Sequence, residues 1–158
     1  IIKRTHPTTL FWLIGDADLG NPASLTTQQL QAWNDEGIVE WFGYRTDVAD
    51  LLTKIHVVCL PSYREGFGKV FVEAGAALRA VVATNVPGCR EAVEHQVNGL
   101  LVEPKNSDAL AAALVEVLDN DELRLRLATE GRRRAEFEFS SETVNAQTLA
   151  VYQQVLGQ

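Results

Sequence analysis

The 158-residue chain has no methionine, two cysteines and three histidines. Cys59 and Cys89 form no Cys-x-x-Cys pair, and no histidine stands at ligand spacing from either. This argues against a disulfide scaffold or a structural zinc site and leaves two reduced thiols of a cytosolic kind. Long apolar runs are missing too. Nothing approaches the roughly 18 residues of a membrane span, and no signal-peptide pattern opens the chain. Basic residues are in the minority: 14 Lys and Arg against 21 Asp and Glu give a net charge of −7. Nucleic-acid binding normally needs a clustered basic face, so it is disfavoured, while a local basic pocket is compatible with this balance. The remainder is ordinary, with 46% hydrophobic and 22% charged residues, and the length is most simply that of one domain with a sizeable core.

Apolar runs alternate with helical patterns along the chain. Ile1 to Pro7 reads as the last turn of a helix, as though the chain begins inside an element. Strands are expected at 9–14, 38–42, 55–60, 80–84 and 100–102. The loop after the first carries Gly20-Asn21-Pro22. Thr26-x-x-Gln29 is a capping-box pattern opening a helix that Gly37 would close. Asp47 suits the cap of a short helix through Leu52. Further helices are expected at 70–78, near 90–94, from Ser107, from Asp121 to about Gly131, and from Ser140 or Ser141. The last would carry Val144, Thr148, Val151 and Val155 on one face. The strands are continuously apolar rather than alternating, which predicts an α/β fold, a parallel sheet covered by helices on both faces. Ligands then bind outside the carboxyl ends of the strands.

The segment Glu65-Gly66-Phe67-Gly68-Lys69-Val70-Phe71-Val72-Glu73-Ala74 follows the third strand at its carboxyl end. Strand, glycine loop and helix N-terminus present backbone N–H groups to a phosphate, and a carboxylate on each side suits hydroxyls. Lys69 reads equally as a phosphate contact or as a solvated lysine. Arg64 reads as a surface residue and His56 as a core histidine. Arg90 and Glu91 are expected to form a local ion pair. Arg132-Arg133-Arg134 reads as a helix C-terminal end, with a membrane-surface role as the lesser alternative. Ser62 and Ser107 have no His and Asp arrangement for nucleophilic catalysis.

Pro61-Ser62-Tyr63-Arg64-Glu65-Gly66-Phe67-Gly68, continuing to Glu73-Ala74, resembles the Glu-x7-Glu signature of retaining, nucleotide-sugar-dependent glycosyltransferases of the GT-B fold, group 1 and family 4 type. Ala80 to Glu91, Asn98-Gly99-Leu100-Leu101-Val102, Leu13-Ile14-Gly15-Asp16 and Val39 to Tyr44 are similar to further segments in the family's order. The resemblance implies a Rossmann-like, doubly wound parallel sheet of three α/β/α layers, the C-terminal half of a GT-B fold. It implies that Glu65 meets the donor sugar and Glu73 the ribose hydroxyls. Backbone N–H groups at Phe67, Gly68, Lys69 and Val70 would meet sugar and pyrophosphate, with Tyr44 and Arg45 near the base.

A complete enzyme of this type has an N-terminal acceptor-binding domain carrying a catalytic histidine. An Arg and a Lys in the first unit of the donor domain neutralise the pyrophosphate. None of these maps onto residues 1–158. The chain is therefore expected to be the donor-binding half, short of its first strand and most of its first helix. As implied activity, a hexosyl group passes from a UDP- or GDP-sugar to a hydroxyl acceptor without a metal, in bacterial polysaccharide or lipid-linked glycan synthesis. The expected setting is cytoplasmic or peripheral to the inner membrane, and the 158 residues alone are expected to be inactive. Two other readings stay open: a UDP-sugar 2-epimerase of the same fold, and a non-catalytic module binding a nucleotide-sugar or a protein.

Overall fold

The computed structural model describes residues 1–18, 20 and 24–157, and the expected Asn21-Pro22 turn lies outside them. The chain divides into two compact units, Ile1–Val48 and Ala49–Gln158.

The first unit holds α1 (Ile2–Thr5), β1 (Trp12–Leu13), α2 (Thr27–Asp35) and β2 (Glu40–Trp41). The Thr26 hydroxyl accepts from the Gln29 N–H and the Gln29 side chain accepts from the Thr26 N–H, the full capping box. Gly37, at φ 68°, closes the helix as expected. β1 and β2 pair in parallel, Trp12 opposite Glu40. Both are shorter than their apolar runs. Ile38 spends its N–H on the Trp33 carbonyl of α2, so the ladder starts only at Glu40, which donates to Phe11.

The second unit follows α3 (Val48–Leu52) with β3 (Val57–Leu60), α4 (Lys69–Ala76), β4 (Ala80–Thr84), α5 (Pro87–Ala92), β5 (Leu100–Val102), α6 (Ser107–Asp119), α7 (Asp121–Phe137) and α8 (Ser141–Leu156). The strands form a parallel sheet in the order β3-β4-β5. Every residue of β4 is buried, so helices cover both faces of the central strand. α4 and α7 pack on one another and on β4, while α6 packs on β4 and β5.

Four expectations shift, each for a local reason. β3 starts at Val57, opposite Ala80, because β4 offers no partner earlier. His56 is therefore an exposed residue ahead of the strand, not a core histidine. α5 begins at Pro87, whose fixed φ suits the first helical position. Asn106, not Ser107, caps α6 by accepting the Ala109 N–H at 2.9 Å. α7 runs through Gly131 to Phe137, because that glycine lies against Gly75 of α4. A Cβ on Gly75 would stand 2.5 Å from the Gly131 carbonyl oxygen. α8 is capped by Ser140, as expected, but buries none of its residues.

Candidate functional site

β3 ends at Leu60 and α4 begins at Lys69, and the eight residues between form the glycine loop. Glu65 is half-buried at its centre, and Glu73 is exposed on the second turn of α4. The apolar neighbours of Glu73 thus turn inward and leave its carboxylate facing water. Gly68 is the α4 N-cap and supplies no capping side chain. The first-turn N–H groups of α4 therefore have no side-chain cap, as an anion site at a helix start requires. One of the four amides expected to meet ligand is already engaged: Lys69 donates to the Phe67 carbonyl at 2.8 Å. Lys69 itself is exposed and Val70 half-buried.

Three contacts fix this loop. A Cβ on Gly68 would come within 2.4 Å of the buried Phe71 ring, so the chain turns into α4 tightly over that ring. Phe67 packs against Phe139 at a tilt of 54°, with ring centroids 5.6 Å apart, and the Arg134 guanidinium lies 5.8 Å from the centre of the Phe139 ring. Gly88 of α5 presses on the loop from the other side. A Cβ there would lie 2.0 Å from the Glu65 carbonyl oxygen and 2.7 Å from that of Gly66. Behind the loop, Cys89 is fully buried. Burial, the largest cause, pushes its thiol above the usual range and the Glu65 charge adds to this, while neighbouring Thr84 and Arg90 act in the opposite direction. Arg90 itself donates to the Asn85 carbonyl and side-chain oxygens, at 3.2 and 3.0 Å, and that contact replaces the expected pair with Glu91.

Tyr44 and Arg45 belong to the first unit and follow β2. Tyr44 is 75% exposed. Arg45 is held by Asp47 in a two-pronged ion pair, Nε to Oδ1 at 2.7 Å and Nη2 to Oδ2 at 2.5 Å. That hydrogen bond and charge raise an already high guanidinium pKa. The same unit carries Asp16-Ala17-Asp18, an Asp-x-Asp pair that lies outside the expected site residues. Asp18 accepts the Gly20 N–H at 3.1 Å, and Asp16 stands where a Cβ on Gly43 would meet it at 3.2 Å.

At the carboxyl ends of β3, β4 and β5, where a parallel sheet is expected to bind ligands, lies a cavity of about 410 Å³ lined in part by Pro61, Tyr63, Thr84, Glu103 and Lys105. The Lys105 ammonium stands 5.7 Å from the centre of the Tyr63 ring. Residues 61, 84 and 103 meet there only because three strands end side by side, which no local pattern announces.

The sequence model of the family described as "Glycosyl transferases group 1" matches residues 1–134. The chain belongs to this family. This glycosyltransferase domain is 31% identical over 146 residues to the N,N'-diacetylbacillosaminyl-diphospho-undecaprenol alpha-1,3-N-acetylgalactosaminyltransferase of Campylobacter jejuni, covering 92% of the chain and 37% of that enzyme. It is 31% identical over 153 residues to glycogen synthase of Mycobacterium tuberculosis, covering 96% of the chain and 36% of that protein. Among solved structures, Anabaena HepE in complex with UDP superposes with a TM-score of 0.84 at 29% identity, over 94% of this chain and 42% of that one. The same protein with UDP-glucose gives 0.82 at 28% identity, again over 94% and 42%. The group 1 glycosyltransferase domain thus shares the GT-B architecture of these neighbours, parallel sheets with helices in three α/β/α layers, and spans well under half the length of each.

Proposed function

We propose that this domain binds the nucleotide-sugar donor of a retaining glycosyltransferase, which transfers a hexosyl group from a UDP- or GDP-sugar to a hydroxyl acceptor. One observation carries the reading. The loop from Glu65 to Lys69 is clamped between Gly88 and Phe71 and delivers a half-buried carboxylate, an uncapped helix start and a second carboxylate in sequence order. Glu65 would accept from sugar hydroxyls. Glu73, exposed and with two oxygens, matches the vicinal diol of a ribose. The amides of Phe67, Gly68 and Val70, with Lys69, face the diphosphate. The Lys69 amide would exchange its internal bond for one to ligand. Tyr44 and Arg45 are proposed for the base. The UDP and UDP-glucose held by the HepE structures support the donor class.

In this reading the acceptor is a hydroxyl of a growing bacterial polysaccharide or of a lipid-linked glycan at the cytoplasmic face of the membrane. No helix among the described residues is long and apolar enough to cross a membrane.

The test is titration of the chain with UDP-glucose, UDP-N-acetylglucosamine and GDP-mannose by ligand-observed NMR. One of them is expected to bind, and Glu73→Gln to weaken both that sugar-nucleotide and its nucleoside diphosphate by roughly tenfold, the loss of one hydrogen-bonded charge. Unchanged affinity in Glu73→Gln would favour a non-catalytic module. Epimerised sugar rather than free UDP from the longer parent enzyme would favour an epimerase. Donor binding is also expected to survive EDTA, because backbone amides and Lys69 take the role a divalent ion would otherwise have. Loss of binding with the chelator would redirect attention to Asp16 and Asp18.

A further inference from the structure

We propose that Ser62, backed by Thr84, is a positioning residue for Glu65, and that Gly88 fixes the backbone from which Glu65 projects. This inference deepens the donor-binding reading and rests on it.

A glutamate on a loop is a poor clamp unless something restricts it. Ordering its side chain costs conformational entropy when ligand binding must do so. Here two devices precede the ligand. The Ser62 hydroxyl donates to Glu65 Oε2 at 3.4 Å. That is long for an O–H···O contact, as hydrogen bonds in unliganded sites commonly are before they tighten on substrate. Ser62 is in turn fixed from behind, because the Thr84 hydroxyl donates to the Ser62 carbonyl. Thr84 is the last residue of β4 and only 3% exposed, so its position is set by the core of the sheet. The relay therefore runs from a buried strand end, through the loop backbone and a hydroxyl, to the carboxylate. Gly88 supplies the second device. Its α-carbon packs so closely on the Glu65 and Gly66 carbonyls that no side chain fits, which holds the loop backbone from the α5 side. Neither Ser62 nor Thr84 touches the donor in this assignment; both act through Glu65.

The experiment compares wild type with Ser62→Ala, Thr84→Val and the conservative Thr84→Ser. Two readouts are taken. The first is the ratio of Kd for the nucleoside diphosphate to Kd for the sugar-nucleotide, with UDP-glucose, UDP-N-acetylglucosamine and GDP-mannose as probes. The second, without ligand, is the set of three-bond couplings that report the Glu65 χ1 rotamer. Ser62→Ala is expected to lower the Kd ratio by about three- to tenfold, the net worth of one ordinary hydrogen bond, with Kd for the diphosphate itself nearly unchanged. The Glu65 couplings should then move toward rotamer averages. Thr84→Val should follow in the same direction and Thr84→Ser should restore both. A Ser62→Ala protein that keeps the ratio and the couplings of wild type overturns the proposal and leaves the donor reading standing. A wild type that does not distinguish sugar-nucleotide from diphosphate overturns the donor role of Glu65, and the couplings alone then decide whether Ser62 holds the carboxylate.

Discussion

At the scale of single residues, the site depends on atoms that are absent. Gly88 and Gly68 leave the room into which the loop folds, and Cys89 fills the space behind it. Burial of Cys89 has a pH consequence with a definite sign. Its thiol pKa is raised in the folded state, so the fold prefers the protonated form. The contribution to stability is fully present below the unfolded thiol pKa of about 8.5 and is lost as pH rises through the higher folded value. Urea midpoints of wild type should fall from pH 8 to pH 10 more steeply than those of Cys89→Ala. Parallel slopes in the two proteins would remove the thiol from the account.

Among the elements, the contact between α4 and α7 is the one a residue-by-residue reading undervalues. α4 carries Glu73 and the amides at its start, and α7 seats α4 through two facing glycines. The distances rank the consequences of filling them. A Cβ on Gly75 would sit 2.5 Å from backbone of Gly131, whereas one on Gly131 would stand 3.3 Å from the Gly75 α-carbon. Alanine gains about 1 kcal/mol of helix propensity over glycine, and overpacking costs about 1–3 kcal/mol. Gly75→Ala should therefore destabilise the chain by about 2 kcal/mol in urea unfolding, while Gly131→Ala should stay within about 1 kcal/mol of wild type. The reverse order would mean that the helices separate easily. The Arg132-Arg133-Arg134 run also belongs to this level. Glu136 takes Arg132, Glu130 and Glu138 take Arg133, and Glu138 takes Arg134. The run lies near the C-terminal end of α7, as expected from the sequence, and besides these ion pairs Arg132 donates to the Ala76 carbonyl of α4 and Arg134 to the Asn98 side chain at 3.3 Å.

For the whole molecule, the chain covers 37% of the Campylobacter relative and 42% of the HepE chain. Preorganised positive charge at a leaving diphosphate is usually a large part of transfer catalysis, and the site proposed among the described residues supplies backbone dipoles and Lys69 for it. The 158-residue chain is thus expected to bind donor weakly and not to turn it over. Radiolabelled sugar transferred to any hydroxyl acceptor by this polypeptide alone would overturn that expectation. The elements after Phe137 set the other feature of this scale. α8 exposes Leu149, Val151, Tyr152, Val155 and Leu156, although its capping serine and apolar stripe were readable in sequence.

The sequence by itself determined what depends on neighbours along the chain. The Thr26–Gln29 capping box, the strand at 80–84, the turn of Gly37 and the order strand, glycine loop, helix all follow from short-range sterics and hydrogen bonding. Tertiary structure decided what depends on neighbours in space. It cut β3 back to Val57, carried α7 through Gly131, and brought Gly88 onto the Glu65 backbone and Thr84 behind Ser62. The physical reason is that a strand ends where its partner ends, a helical glycine is tolerated where another backbone needs its space, and the loop that carries a carboxylate is held by groups that only folding places beside it.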